Sequence, residues 1–370
     1  MLVDEPVVTT TDSAARTDTG KEILRLLPGW RKSSKTPSGF QDCSLVIPTF
    51  NRPSEVSGLI RAIAALPDIP AEVVVVDGSG DDDTGVQLIS TARKTALPFD
   101  LVYVKSPAGL TLQRNVGIDI SSGEFIFFLD DDCVPEPGYF RELRLVFIND
   151  GGGKIGGAGG ILVNEIQDRL SLRWRLRLAL RLVPRIKPGI YHPSGTSVPR
   201  ALLKSIDPLR RVDMLSGCSM VFRRDVLERN RFSLFFSGYS QGEDLEMSLR
   251  VRREWDIVWV GAARAFHHHA VGGRPASFAK GRMEVRNRYF IWKRNSSDAM
   301  LRDKARFWLD MFFLMAVDVA TWLRHPTAFY HLSHASGLAG GVFGCVTAPP
   351  QYEEPEAHRE YELDEQDLSS

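Results

Sequence analysis

Three consecutive carboxylates, Asp130-Asp131-Asp132, close the apolar run Phe125-Ile-Phe-Phe-Leu129. A run of that length and type reads as a buried strand, so the three acids fall at its exposed end. Left unpaired they would repel one another at high cost. A hard divalent cation, Mg2+ or Mn2+, relieves that repulsion by taking oxygen from one or two carboxylates and sharing the rest of its shell with phosphate oxygens. Alternation along an extended chain sends Asp130 and Asp132 to one side and Asp131 to the other. A solvated acidic turn would explain the same residues without a ligand.

A second acidic pair, Glu243-Asp244, follows Ser240-Gln-Gly and opens a helical stretch over residues 245–254. Free N–H groups hold carboxylates at a helix N-terminus, so a cap accounts for the pair on local grounds. The run Ala265-Phe-His267-His268-His269 ends a strand that follows Trp259-Val-Gly. Neighbouring histidines point to opposite sides, so at most two of the three reach one ligand. Histidine serves as a metal ligand or proton carrier, and also as an ordinary structural group.

These residues need elements to position them. Residues 43–47, closed by Pro48, read as a buried strand, and Val56, Leu59, Ile60 and Ile63 give residues 53–66 a helical period. Residues 72–76 form a second strand ending at Asp77, followed by a Gly/Asp turn and a helix through Val86, Leu88, Ile89 and Ala92. A strand at 101–104, a helix at 111–120 and the strand at 124–129 continue the alternation. The pattern predicts an α/β fold with a mostly parallel sheet covered on both faces. Ligands of such sheets bind outside the carboxyl ends of the strands, where Thr49, Asn51, Asp77 and the three aspartates stand. The glycine-rich residues 151–160 carry neither a P-loop nor a dinucleotide fingerprint, and are expected to form a turn leading into a strand at 160–163.

The pieces also form an ordered set. Ser44-Leu-Val-Ile-Pro-Thr-Phe-Asn-Arg52, Val74-Val-Val-Asp-Gly-Ser-Gly-Asp81, Gln113-Arg-Asn-Val-Gly-Ile118 and Phe128-Leu-Asp-Asp-Asp132 come first. Residues 217–224, Gly242-Glu-Asp-Leu245 with Arg250, and the three histidines follow. In order and spacing, over roughly residues 43–295, this set resembles family 2 glycosyltransferases of the GT-A fold.

The resemblance implies a role for each matching position. Pro48, Thr49, Asn51 and Arg52 would form the loop beside the donor nucleobase, with Asp77 reading the base and Arg114 and Asn115 next to the nucleotide. Asp130 and Asp132 would hold the metal against the diphosphate, with Asp131 free to touch the donor ribose or sugar. His267 would approach the metal or the diphosphate, with His269 as the fallback. Asp244 would be the catalytic base, with Glu243 beside it, and Gly217 and Cys218 would face the acceptor. The implied reaction is inverting transfer, with Mg2+ or Mn2+, from a nucleotide diphosphate sugar to an acceptor hydroxyl. UDP- or dTDP-sugars are the favoured donors, and a glycan or lipid-linked acceptor would serve cell-surface polysaccharide or glycolipid synthesis. A metal-dependent phosphohydrolase or nucleotidyltransferase would need more histidine and aspartate ligands at strand ends. A degenerate nucleotide-sugar-binding protein would not need the base.

The 370 residues, 43% hydrophobic and 25% charged, suffice for one large α/β domain with an appended segment. The expected division is a loosely ordered lead-in at 1–42, the catalytic domain at 43–275, a helical region at 276–348 and a disordered acidic tail at 349–370. A formal net charge of zero gives no general case for nucleic acid, and no such partner is expected. Cys43, Cys133, Cys218 and Cys345 stand far apart with no CxxC pair, which suits reduced thiols. Asp4 and Glu5, with no basic start and apolar run, do not read as a secretory signal, so a cytoplasmic protein is expected.

Arg169, Arg173, Arg177, Arg181 and Arg185 recur every four residues, either facing anionic lipid or a lipid-linked acceptor, or lying on a solvated helix. Residues 307–323 are apolar but short of the ~20 that span a bilayer. Asp310 and Asp318 within them would each cost about 2.5–3.5 kcal/mol at its centre. Peripheral contact with the inner face of the plasma membrane is therefore expected over a span.

Overall fold

The structure is a computed structural model that describes residues 39–166, 170–184, 187–198, 207–270 and 275–351, and the backbone of 24–32 and 361–365. Arg169, Arg185 and the remaining parts of the expected lead-in and tail lie outside the described residues.

The chain opens with β1 (Leu24–Lys32) and β2 (Phe40–Thr49), then runs α1 (Pro53–Ala64), β3 (Pro70–Asp77), α2 (Asp83–Lys94), β4 (Asp100–Lys105), α3 (Leu110–Ile120) and β5 (Phe125–Leu129). Next come β6 (Cys133–Pro135), α4 (Tyr139–Ile148), β7 (Ile155–Leu162), α5 (Leu172–Ala179), β8 (Tyr191–His192) and β9 (Thr196–Ser197). β10 (Leu209–Val212), β11 (Ser219–Arg223), α6 (Arg224–Arg229), α7 (Glu243–Val251) and β12 (Asp256–His267) complete the main body. The helices α8 (Ser277–Asn295), α9 (Leu301–Arg324) and α10 (Phe329–Thr347) and the strand β13 (Tyr361–Glu365) follow.

The large sheet has the order β10-β12-β7-β11-β5-β2-β3-β4-β1-β13. β5, β2, β3 and β4 are parallel neighbours, as the strand-helix alternation requires, with Val46 opposite both Val74 and Phe128. Their side chains divide by parity. Leu45, Ile47, Val73, Val75 and Phe127 pack on one face, and Val46, Val74, Val76, Ile126 and Phe128 on the other. Both faces are therefore dry, and the polar groups collect at the strand ends.

β11 reverses direction between β5 and β7, while β12 runs parallel to β7. β6 pairs with the end of β12, setting Cys133 opposite His267. That short pairing carries the chain just after the aspartate run to the histidine run.

The glycine-rich segment is strand earlier than expected, because β7 begins at Ile155 and not at Gly160. Its glycines make room for neighbours: a Cβ would stand 2.6 Å from Trp255 at Gly156, from Phe222 at Gly157 and from Tyr139 at Gly160. Two segments expected to be loosely ordered also supply strands. β1 pairs antiparallel with β4, and β13 pairs parallel with β1. The backbone of β4 would otherwise be an unpaired sheet edge, and β1 supplies its missing partners.

The last three helices pack as a layer. α8 and α10 approach closely because Gly281 and Gly337 leave space, their Cβ positions lying 2.3 Å from His334 O and 2.1 Å from Phe278 O. The two acids inside the apolar stretch of α9 are paired within the protein. Asp310, fully buried, accepts from Arg177 Nε at 2.8 Å and Nη2 at 2.7 Å, and from Arg288 Nη2 at 2.8 Å. Asp318 faces Nδ1 of His334 at 2.7 Å and of His331 at 3.2 Å. The arginine series is thus no uniform surface stripe, since Arg177 turns inward while Arg173 and the leucines Leu172, Leu176 and Leu180 stay exposed. Among the described residues no helix is long and apolar enough to cross a membrane.

Candidate functional site

A cavity of about 650 Å³ opens at the carboxyl ends of β2 and β5, between the N-termini of α3 and α7. Pro48, Thr49, Arg52, Arg114, the three aspartates, Gly217, Cys218, Glu243, Asp244 and His267 all line it. Residues separated by more than 200 positions in sequence therefore share one wall.

Arg114, on the second turn of α3, is 1% exposed. A buried guanidinium needs acceptors, and it has three: Nη1 donates to Glu243 Oε1 at 2.9 Å, and Nη2 to Gly217 O at 3.0 Å and to Asp130 Oδ1 at 3.3 Å. It thereby links β5, the turn before β11 and the start of α7. Arg114 keeps its charge: burial opposes it, but Glu243 and Asp130 outweigh burial and raise its pKa.

The three aspartates have different surroundings. Asp130 is the most open, its side chain 31% exposed. Asp131 accepts from Thr49 Oγ1 at 2.7 Å and Arg52 Nη1 at 2.8 Å, and burial still pushes its carboxyl up to about 6. Asp132 accepts from the Ala270 N–H at 2.8 Å and lies 3.3 Å from His267 Nε2. Burial would raise Asp132, yet the hydrogen bonds from His267 and Ala270 hold it at about 2.

His267 is fixed from both sides. Its N–H donates to Asn164 Oδ1 at 3.0 Å and its carbonyl accepts from Asn164 Nδ2 at 2.6 Å. Its ring meets Asp132 through Nε2 and Glu165 through Nδ1, at 2.8 Å from Oε1. Burial disfavours the imidazolium, but Asp132, Cys218 and Glu165 together raise it to about 12. Cys218 lies 4.0 Å from His267 Nδ1 and 3.3 Å from Ser216 Oγ. A hydrogen bond from Cys133, acting against burial and aided by His267, lowers the Cys218 thiol to about 7.

Glu243 and Asp244 begin α7 after Gly242, whose φ of +90° lets the chain turn sharply into the helix. Asp244 Oδ2 accepts from the Gly217 N–H at 3.0 Å, and Oδ1 from the Leu245 N–H at 2.8 Å. Burial raises its pKa, with those two N–H groups pulling the other way. Burial and the adjacent Asp244 push Glu243 up to about 7.

Three expected site residues stand off the cavity wall. Asp77, expected to read the base, is fully buried and accepts from Ser79 N at 2.9 Å, Ser79 Oγ and Tyr103 Oη at 2.8 Å. Asn51, at φ +54°, donates its N–H to Ser79 Oγ at 2.7 Å. Asn115 spends its amide on the backbone of Phe232, donating to O and accepting from N, both at 2.9 Å. Asp77 and Asn115 are buried with their side chains bonded to protein partners, Ser79 and Tyr103 for the one and Phe232 for the other, while Asn51 is exposed and tied to Ser79 through its backbone N–H. Conversely, Gln113, Gln241 and Lys280 line the cavity without having been singled out as site residues. Gln113 Nε2 ties Thr49 O and Val76 O together at 2.7 and 2.8 Å, and Lys280 comes from α8. Gln113 sits one residue before Arg114 in the quoted motif, which is a usable signal; Lys280 belongs to a helix whose docking the sequence does not reveal.

The family model described as glycosyl transferase family 2 matches residues 44–230. The chain belongs to that family. Its mostly parallel mixed sheet, flanked by helices and followed by a helical extension, is the GT-A architecture anticipated for a family 2 chain. Glu243, Asp244 and His267 lie beyond the matched segment and join the site through the fold.

Among curated relatives, the succinoglycan biosynthesis protein ExoM of Rhizobium meliloti is 32% identical over 87 residues, 23% of this chain and 28% of that protein. The GalNAc(5)-diNAcBac-PP-undecaprenol beta-1,3-glucosyltransferase of Campylobacter jejuni is 35% identical over 92 residues, 24% of this chain and 29% of that protein. The chain thus spans less than a third of the length of these relatives. Solved structures similar to it include a mannosyltransferase from Pyrobaculum calidifontis in complex with GDP-Man and Mn2+, with 14% identity, a TM-score of 0.49 and coverage of 85% of this chain and 90% of that one. Glucosyl-3-phosphoglycerate synthase from Mycobacterium tuberculosis in complex with Mg2+ and UDP has 19% identity, a TM-score of 0.44 and coverage of 69% and 79%.

Proposed function

We propose that this family 2 protein is a metal-dependent, inverting glycosyltransferase that moves a sugar from a nucleotide diphosphate donor to an acceptor hydroxyl. The observation that carries the reading is a single one: Asp244 and the Asp130–His267 cluster face the same cavity, with Arg114 hydrogen-bonded between Asp130 and Glu243. A carboxylate base and a set of cation-binding donors in one space suit displacement at an anomeric carbon with a diphosphate leaving group.

Asp130, Asp132 and His267 supply oxygen and nitrogen donors of the type a divalent cation such as Mn2+ or Mg2+ takes, and Asp130 opens on the cavity, so the residues fit the metal. Bound there, the metal would act as a Lewis acid toward charge developing on the leaving diphosphate. Thr49 and Arg52 carry the nucleotide side of the wall. Asp77 supports that side indirectly, holding Ser79, whose Oγ accepts from the Asn51 N–H. Asp244 Oδ2, oriented by Gly217, takes the proton of the acceptor hydroxyl as that oxygen attacks, and the glycosidic bond to the diphosphate breaks with inversion.

UDP- or dTDP-sugars are the proposed donors and a glycan or lipid-linked acceptor the proposed partner, as in cell-surface polysaccharide synthesis. The exposed leucines of α5 beside Arg173, and Leu309, Phe312 and Leu323 on α9, support peripheral contact with the inner face of a membrane. The test is incubation with UDP-, dTDP- and GDP-sugars, a candidate acceptor and Mn2+, with the product's anomeric configuration read by NMR. A glycoside of inverted configuration supports the reading; retention, or release of free sugar phosphate alone, overturns it in favour of another mechanism or of phosphohydrolase chemistry.

A further inference from the structure

The aspartate pair is less convergent than its spacing implies. Asp132 is engaged by the Ala270 N–H at 2.8 Å, by Arg52 at 3.6 Å and by His267 Nε2 at 3.3 Å. Among the described residues, a grouping of candidate donors that includes Asp130 has Cys218 as its third member. One ligand atom each from Asp130, Cys218 and His267 lie within 4.8 Å of one another.

We infer that the sulfur of Cys218 is a ligand of the divalent cation, completing a site with Asp130 and His267 that favours thiophilic cations over Mg2+. The inference rests on the reading of this cavity as metal-dependent and changes its donor set: Cys218 takes the ligand position given to Asp132, which orients the His267 ring instead. The three groups are held by separate pieces of rigid structure. Asp130 leaves the end of β5. Cys218 precedes Ser219, which pairs with Leu129 in the neighbouring strand, and Gly217 just before it is fixed by Arg114 and Asp244. His267 ends β12 under the clamp of Asn164. The sulfur lies 4.0 Å from His267 Nδ1, a separation that one cation between them can bridge; Nδ1 also faces Glu165 Oε1 at 2.8 Å, so the cation would take the place of that hydrogen bond, while Asp132 holds the ring through Nε2. A carboxylate on the far nitrogen of a ligating histidine is the usual way such a ring is oriented.

Without a cation role, Cys218 would be a small buried residue bonded to Ser216 Oγ at 3.3 Å and to Cys133. That reading accounts for its burial but not for the meeting of sulfur, carboxylate and imidazole on the cavity wall. Thiolate is a soft ligand suited to Zn2+ or Cd2+, whereas Mg2+ demands oxygen.

The test uses the full chain titrated with CdCl2, following the thiolate-to-cadmium charge-transfer absorption, with MgCl2 and MnCl2 binding measured by calorimetry. Wild type should show the band and bind Cd2+ and Mn2+ more tightly than Mg2+. Cys218→Ser should lose the band and weaken Cd2+ by about tenfold or more, leaving Mg2+ nearly unchanged. Cys345→Ser should keep the band, and Cys218→Asp should bind Mg2+ more tightly than wild type does, without the band. A band that survives in Cys218→Ser, or a cation preference that Cys218→Ser leaves unaltered, overturns the thiolate ligand alone. Failure of wild type to bind any of the three cations overturns both this inference and the metal-dependent reading beneath it.

Discussion

The backbone N–H of Gly217 donates to Asp244 Oδ2 across 3.0 Å, joining the turn before β11 to the first turn of α7. The other carboxylate oxygen accepts from the Leu245 N–H, so both are aimed by backbone and not by mobile side chains. Gly217 O meanwhile receives Arg114, which also holds Asp130. One glycine thus sets the distance between Asp244 and Asp130.

That geometry has a pH signature. Burial raises Asp244 above its ordinary value of 3.8. A base acts only when ionised, so kcat/KM should fall as pH drops toward this raised pKa, giving an acid limb above the usual aspartate range. A pH–rate profile that stays flat down to the ordinary aspartate range contradicts Asp244 as the base.

Much of this site is legible in the chain because its signals are local. The apolar run ending in three aspartates gives both β5 and its acidic tip, and the strand-helix alternation gives the parallel half of the sheet. What stays hidden depends on partners distant in sequence. Asp77 reads as an open strand-end carboxylate until Tyr103, 26 residues on, covers it. Cys218 reads as acceptor-side by resemblance, and only the pairing of β6 with β12 brings His267 toward it. The first part of β7 is hidden for another reason: glycine has low strand preference, and the large neighbours that require it come from α4, β11 and the turn before β12. Lys280 is hidden because α8 reaches the cavity through tertiary packing, with Asn287 donating to Gln241 O at 2.9 Å.

Asp310 makes a stability claim. It is fully buried and held by Arg177 and Arg288. Arg177→Met leaves the carboxylate with Arg288 alone, and should destabilise the protein by about 1.5–3 kcal/mol, the range for losing hydrogen bonds to a charged group. Chemical denaturation checks it; a change under about 1 kcal/mol would mean water reaches Asp310.

The close contact of α8 and α10 makes another. A methyl group at Gly337 would sit 2.1 Å from Phe278 O, a backbone atom that cannot swing aside. Gly337→Ala should therefore cost about 1–3 kcal/mol through overpacking, although alanine favours helix in isolation. Thermal melting of Gly337→Ala beside Gly344→Ala is the comparison, since nothing lies within 4 Å of a Cβ at Gly344. Equal melting temperatures would contradict the packing described.

The most direct measurement is nucleotide binding and sugar transfer by wild type, Asp130→Ala and Asp244→Asn, with and without Mn2+, across UDP-, dTDP- and GDP-sugars. The expected result is Mn2+-dependent binding of one donor class to wild type and loss of that binding in Asp130→Ala. In Asp244→Asn, binding should persist while transfer falls about 100- to 10,000-fold. Absence of any nucleotide-sugar binding to wild type, or full transfer by Asp244→Asn, would contradict the account at its centre.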